Sequence, residues 1–160
     1  DHYDVHDVFV LQVSGEKRWR IRPPVHPRPL RDQPWTDHRE AVEHAAQAEP
    51  LIETTLQPGD CLYLPRGYLH SATALGGVST HLTIGVHPWT RHHLAQDMLS
   101  AALARAADDP EVRSSLRMGG DLADASALGA DVELVRAALV RALDGVDAED
   151  LTSALVAASR

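Results

Sequence analysis

The feature that most limits how this chain can fold is the run Val8-Phe9-Val10-Leu11-Gln12-Val13, then Ser14-Gly15, then Lys17-Arg18-Trp19-Arg20-Ile21-Arg22. Short runs of β-branched and apolar residues favour strands, Ser-Gly is a turn signal, and the second run alternates apolar with charged. The pattern predicts a hairpin, with antiparallel strands over 8–13 and 17–22 joined by a two-residue loop at Ser14-Gly15. In that register Val10 faces Trp19 and Gln12 faces Lys17. Lys17, Trp19 and Ile21 then share a face with Val8, Val10 and Gln12, while Arg18, Arg20 and Arg22 face water. One lysine is turned inward among apolar side chains, where it needs either a partner or a path for its ammonium to reach solvent. His2 and Asp4 precede the run. Residues two apart in a strand point to the same side, so an imidazole nitrogen and a carboxylate oxygen can reach one point.

Downstream, Pro23 to Pro29 is too proline-rich for a helix or a central strand. Glu40 to Ala46 carries good helix formers. Strands are expected over 51–56 and 61–64, around the turn Gln57-Pro58-Gly59-Asp60. After a bend at Pro65-Arg66-Gly67, further strands are expected over 70–75 and 78–86, joined by a hairpin turn at Gly76-Gly77. His81, Thr83 and Gly85 fall on one face of the last strand. From Thr90 the apolar period lengthens to that of a helix, with a stripe of Leu94, Met98, Leu99, Ala102, Leu103 and Ala106. Asp108-Asp109-Pro110 ends this helix, and 119–129 reads as a loop. Asp131 is the expected N-cap of a helix over 132–143 with Val135, Leu139 and Leu143 inward. Asp147 caps a last helix carrying Leu151, Leu155 and Val156. Strands followed by helices indicate an α+β chain, divided into a β domain over 1–89 and a helical region over 90–160.

The composition of these 160 residues is that of an ordinary globular protein, 44% hydrophobic and 24% charged. A formal charge of −8 argues against autonomous nucleic-acid binding. The single cysteine, Cys61, allows no internal disulfide and fits a reducing, cytoplasmic compartment. Its place in a strand suggests packing. No apolar run approaches the ~20 residues of a membrane span. A start at Asp1 and an end within a helical pattern read as an excerpt of a longer protein.

The spacing Gly59-x5-Pro65-x-Gly67-x2-His70 matches the second cupin motif, with Ala74 where an asparagine often follows. Gly59 permits a turn, Pro65 and Gly67 bend the chain between strands, and His70 is aimed into the mouth of a barrel. Together with His2 and Asp4 it makes a candidate metal-ligand set of two histidines and a carboxylate.

The stretch from His2 to about Thr90 resembles the JmjC-type 2-oxoglutarate oxygenases, and among them the ribosomal oxygenases. The resemblance is carried by His2-Tyr3-Asp4, Phe9 to Gln12, Gly15 to Trp19, Leu56 to Gly67, His70, and Thr80 to Ile84. It implies that His2, Asp4 and His70 bind Fe(II) and that Lys17 binds the far carboxylate of 2-oxoglutarate. The implied activity is that of a 2-oxoglutarate-dependent dioxygenase hydroxylating an arginine or histidine of a protein substrate such as a ribosomal protein. The implied fold is a distorted double-stranded β-helix (jelly roll) lacking its first strands, followed by a helical dimerisation region, and hence a homodimer. Thr83 is a candidate donor to 2-oxoglutarate. Tyr3 points away from the metal and has no assigned role. His6 is expected to lie outside the ligand set, and His87, His92 and His93 at the surface. Gly85 stands where some members have serine.

Three other readings share parts of this pattern. Zinc or manganese cupins, such as isomerases and cosubstrate-independent dioxygenases, commonly use three histidines and a glutamate and do not require Lys17. A non-catalytic cupin would bind a metal or ligand only. A lysine demethylase would use the same fold and cosubstrate on another substrate.

Overall fold

Residues 8–22 do not form a hairpin. In the computed structural model they belong to one strand, β1 (Asp7–Arg22), which runs straight through Ser14-Gly15. The structure describes residues 1–116, 125–149, 151–152 and 156. β1 pairs antiparallel along its whole length with a second long strand, β4 (Leu69–Val86). Its other edge is taken in succession by β2 (Ile52–Leu56), opposite residues 17–21, and β3 (Cys61–Leu64), opposite residues 8–11.

The two expected turns are one bulge. Gly15 does adopt a left-handed conformation, with φ of 65°, but the chain continues instead of reversing. Ser14 pairs with Thr80 and Glu16 with Leu75, so Gly76–Ser79 is an excursion of β4 opposite Gly15. Gln12 staples it: its Nε2 donates to the Ser14 and Gly15 carbonyls, at 2.9 Å each, and to Ser79 Oγ at 2.8 Å. Ser-Gly and Gly-Gly permit positive φ equally well in a hairpin and in a bulge, and only pairing partners distant in sequence decide between them. A Cβ on Gly15 would sit 2.2 Å from the Val78 carbonyl oxygen. Gly15→Ala is therefore expected to cost at least about 2 kcal/mol, from the left-handed backbone and the clash together. Urea denaturation measures it.

The bulge also explains why the expected face assignment survives a wrong topology. Val8 and Val10 carry even numbers and Trp19 and Ile21 odd ones, yet all four lie in one core with Leu56 and Leu64. The extra residue flips the parity of the strand. Arg22 is the exception among the arginines. It is buried, not solvated, and donates to Asp1 Oδ1 at 2.6 Å and to the Ala48 carbonyl at 2.8 Å. Cys61, expected in the core, is exposed.

A second small core holds Tyr3, Val42 and Leu69. Val42 comes from α1 (Arg39–Ala45), which follows a 3-10 turn at Trp35–His38. The Tyr3 hydroxyl donates to the Gln33 carbonyl at 3.0 Å, so the residue between the two candidate ligands anchors that segment to the loop before α1.

The chain divides into two units, Asp1–Pro88 and Trp89–Arg160. In the second, α2 (Arg91–Ala106) starts at Thr90, whose Oγ1 accepts from the His93 backbone N–H while His93 Nδ1 accepts from that of Thr90. His93 is thus a helix cap rather than a free surface residue. α3 (Ala125–Asp144) begins before Asp131, which lies inside the helix and not at its cap, and helix replaces the expected loop over 125–129. Residues 119–124 of that loop, and Leu155, lie outside the described residues. The two helices pack on each other; Ala102 and Ala106 of α2 and Ala138 of α3 are buried, whereas Leu99, Leu103 and Val140 are exposed. Among the described residues no helix is long and apolar enough to cross a membrane.

Candidate metal centre

The outer edge of β4 carries the candidate ligands. His2 forms an isolated antiparallel bridge with His70, its N–H donating to the His70 carbonyl at 3.2 Å and its carbonyl accepting from the His70 N–H at 2.9 Å. Residues paired in this way place their side chains on the same face, and the two imidazole centroids are 4.4 Å apart. Two residues on, the Asp4 carbonyl accepts from the Gly67 N–H at 3.0 Å. This ties the His-x-Asp segment to the bend between β3 and β4. Gly67 has φ of 87°, and a Cβ there would meet the His26 carbonyl and Pro29 at 2.9 Å. The bend that aims His70 therefore requires glycine.

One ligand atom from each of His2, Asp4 and His70 lies within 4.8 Å of the others. His70 is buried, and its Nδ1 donates to the Tyr68 carbonyl at 3.0 Å, which leaves Nε2 with its lone pair, 3.5 Å from Asp4 Oδ2. Holding one ring nitrogen on a carbonyl in this way fixes the tautomer and orientation of a metal-binding histidine. Burial pushes the His70 pKa below the ordinary imidazole value, which favours the neutral form a metal requires. Two imidazoles and a carboxylate suit a divalent transition metal and leave coordination positions free. Among the described residues no fourth ligand joins the cluster.

Beside this cluster the inner face continues along β1. Ile21 pairs with His70, Trp19 with Ala72 and Lys17 with Ala74. Ile21, Trp19 and Lys17 thus share the face of His70, and opposite the last two stand only alanines, both exposed. Lys17 is half-buried on that face. Its Nζ lies 2.8 Å from His81 Nδ1, and among the described residues it has no carboxylate within ion-pair distance. The internal salt bridge that an inward lysine suggests is absent among them. Burial, and then the charge of Lys17, hold the His81 pKa below the usual imidazole range. A neutral His81 accepts a hydrogen bond from the ammonium. The Trp19 ring lies 6.0 Å from both His70 and His81, so one indole separates the ligand cluster from the Lys17–His81 pair. Thr83 pairs with Val10, which puts it on the inner face, two residues beyond His81; its side chain is exposed.

Two contacts were not expected from the sequence. His81 as the partner of Lys17 is 64 positions away, and no local pattern announces it. His6 lies against His87 in a tilted arrangement, with centroids 4.6 Å apart, and its ring sits where a Gly85 side chain would begin, 2.8 Å from an ideal Cβ. A serine at position 85 would therefore displace the His6 ring in this chain.

Residues 1–94 match the family model of the JmjC domain. Ribosomal oxygenase 2 of Bos taurus is 41% identical over 93 residues, covering 54% of this chain and 18% of that protein. The bifunctional lysine-specific demethylase and histidyl-hydroxylase NO66 of Drosophila persimilis is 40% identical over 90 residues, covering 54% of this chain and 12% of that protein. The chain thus spans less than a fifth of these relatives. Among solved structures, the Escherichia coli ribosomal oxygenase YcfD superposes with a TM-score of 0.50 at 22% identity, over 91% of this chain and 35% of that one, a likeness of fold. The family match spans more than half of the chain and takes in the whole sheet with its His2, Asp4 and His70 cluster, and on that ground the chain belongs to the JmjC domain family.

Proposed function

We propose that this chain carries the metal and cosubstrate site of an Fe(II)- and 2-oxoglutarate-dependent oxygenase that hydroxylates a protein side chain, with an arginine or histidine of a ribosomal protein as the preferred target. The observation that carries the reading is the shared face of the sheet: three ligand atoms within 4.8 Å of one another at one end and Lys17, without a carboxylate partner among the described residues, at the other. From Ile21 to Lys17 the strand advances by roughly 13 Å at about 3.3 Å per residue. A five-carbon dicarboxylate and an extended lysine side chain together span that interval, over the low relief of Ala72 and Ala74.

The donor set fits the metal. His2 and His70 offer imidazole nitrogens and Asp4 a carboxylate, and His70 is already held in the ligating tautomer. Bound Fe(II), with 2-oxoglutarate and O2, would supply the oxidation, in which loss of CO2 from the cosubstrate to give succinate is coupled to insertion of one oxygen atom into a C–H bond. The protein's share is binding and orientation. Lys17 would pair with the far carboxylate of 2-oxoglutarate, Thr83 would offer a hydroxyl from the same face, and Trp19 and Ile21 would line the site with apolar side chains. The relatives named ribosomal oxygenase support the choice of substrate class. The test supplies the full-length protein with Fe(II), 2-oxoglutarate and isolated ribosomal proteins, and follows succinate and the mass of each protein. Succinate formation matched by a gain of one oxygen atom on a single protein is expected, and no succinate with any substrate would sink the reading.

A relative named both demethylase and hydroxylase makes loss of a methyl group from lysine the second reading. The same assay with a methylated lysine peptide, read for loss of methyl mass, separates the two. A zinc or manganese cupin with three histidines and a glutamate has no support among the described residues, whose cluster holds two histidines and an aspartate.

The helical unit is proposed to pair two copies of the protein. A groove of about 510 Å³ between α2 and α3 is lined by Leu99, Leu116, Val132, Val135, Leu139 and Leu143 among others. Of these, Leu99, Leu116, Val132 and Val135 are exposed in the single chain. Light scattering on the full-length protein at micromolar concentration is expected to give twice the monomer mass, and a monomer would refute the pairing. The site would work in the cytoplasm on a protein substrate, with no nucleic acid bound by this acidic chain itself.

A further inference from the structure

We infer that His81 is the positioning residue for Lys17, fixing its ammonium on the face it shares with His70. This rests on the reading of Lys17 as the anchor of a dicarboxylate cosubstrate. The two residues meet across the bulge. His81 pairs with Gln12 on one side of it, Lys17 pairs with Ala74 on the other, and Nζ lies 2.8 Å from Nδ1. Gln12, the cross-strand neighbour of His81, is uncharged and buried, and its amide nitrogen is spent on the bulge itself. Trp19 packs edge-on to His81, with ring planes at 85°, and restricts how far the imidazole can swing.

The chemistry explains why a histidine suits this position. A lysine side chain has four rotatable carbons and three donors, and ordering it costs entropy. A carboxylate in place of His81 would order it equally well but would neutralise it, leaving little attraction for an anionic cosubstrate. A neutral imidazole accepts one N–H and leaves the full charge and two donors for the ligand. Burial and the adjacent ammonium both favour the neutral form. The bulge is what brings residue 81 within reach, so the irregularity at Gly15 is tied to the site through this one hydrogen bond.

The test compares wild type, His81→Ala, His81→Gln, His81→Glu and Lys17→Ala in the full-length protein loaded with zinc, which supports binding without turnover. Calorimetry measures 2-oxoglutarate affinity, and metal affinity and thermal stability are measured alongside. His81→Ala is expected to weaken 2-oxoglutarate binding about tenfold, the range for losing a hydrogen bond to a charged group, with metal affinity unchanged. His81→Gln, whose amide oxygen accepts the same hydrogen bond, should recover most of the loss. His81→Glu should bind worse than His81→Ala because it neutralises Lys17. A purely structural histidine would lower thermal stability and leave 2-oxoglutarate affinity alone. If His81→Ala binds like wild type while Lys17→Ala is weakened, the positioning role is wrong and the cosubstrate reading stands. If Lys17→Ala also binds like wild type, the cosubstrate reading itself falls. Should His81→Ala fail to fold, nitrogen NMR on the wild type decides. The Nδ1 resonance should be that of an unprotonated acceptor and should shift on adding 2-oxoglutarate, and a protonated or unresponsive Nδ1 overturns the assignment.

Discussion

Asp4→Ala is expected to abolish both metal binding and turnover while leaving the fold intact. The structural duty of Asp4 is carried by its backbone, whose carbonyl accepts from Gly67 and closes the bend before His70. Alanine keeps that bond. The side chain makes only a loose approach of 3.5 Å to His70 and is partly exposed, so removing it orphans no buried group. Its contribution is the one carboxylate of the three-atom cluster. Loss of a group that merely hydrogen-bonds to a metal ligand costs about 10–100-fold in affinity or activity, and loss of the ligand itself should exceed that. Metal content by elemental analysis after dialysis, beside a melting curve, gives the answer. An Asp4→Ala protein that retains stoichiometric metal would place the ion elsewhere.

Lys17→Ala should leave the metal bound and raise the 2-oxoglutarate requirement. Removing one partner of a fully buried charge pair costs about 3–5 kcal/mol. Lys17 is only half-buried, so solvent screening lowers this to about 2–3 kcal/mol, or roughly 30- to 150-fold in affinity. Because its partner in the free protein is a neutral histidine, the substitution strands no counter-charge, and stability should change little. A lysine that served only the fold would show the reverse, a lower melting temperature and an unchanged 2-oxoglutarate constant. Apparent 2-oxoglutarate constants and melting temperatures on the same preparations distinguish the two.

Composition and motif spacing carried the chemistry of this chain further than its topology. His2 and Asp4 at a spacing of two, and His70 at the end of a Gly-Pro-Gly bend, were legible because each depends on local backbone geometry: strand periodicity in one case, a glycine-permitted bend in the other. The inward orientation of Lys17 was legible too, although the hairpin used to derive it does not exist. Apolar residues on either side of Gly15 must reach one core whether the chain reverses there or bulges, so their face assignment is insensitive to the choice. Arg22 and Cys61 show where alternation fails. Arg22 lies near the end of its strand, where Asp1 and the Ala48 carbonyl cover it, and Cys61 lies in a short strand exposed at that point.

Residue types and short-range spacing made the α+β class, the candidate ligand residues and the inward cation legible, because each depends on the conformation of a few consecutive residues; the His2–His70 bridge that gathers those candidates is a tertiary contact. Tertiary structure alone decided that residues 7–22 and 69–86 run as two continuous partners. It also decided that alanines face Trp19 and Lys17, that His6 occupies the space above Gly85, and that His81 meets Lys17. Glycine permits a turn and a bulge equally, and a contact between residues 64 positions apart has no periodicity to announce it. Both are settled by the pairing energy of whole strands and not by any stretch of sequence short enough to read.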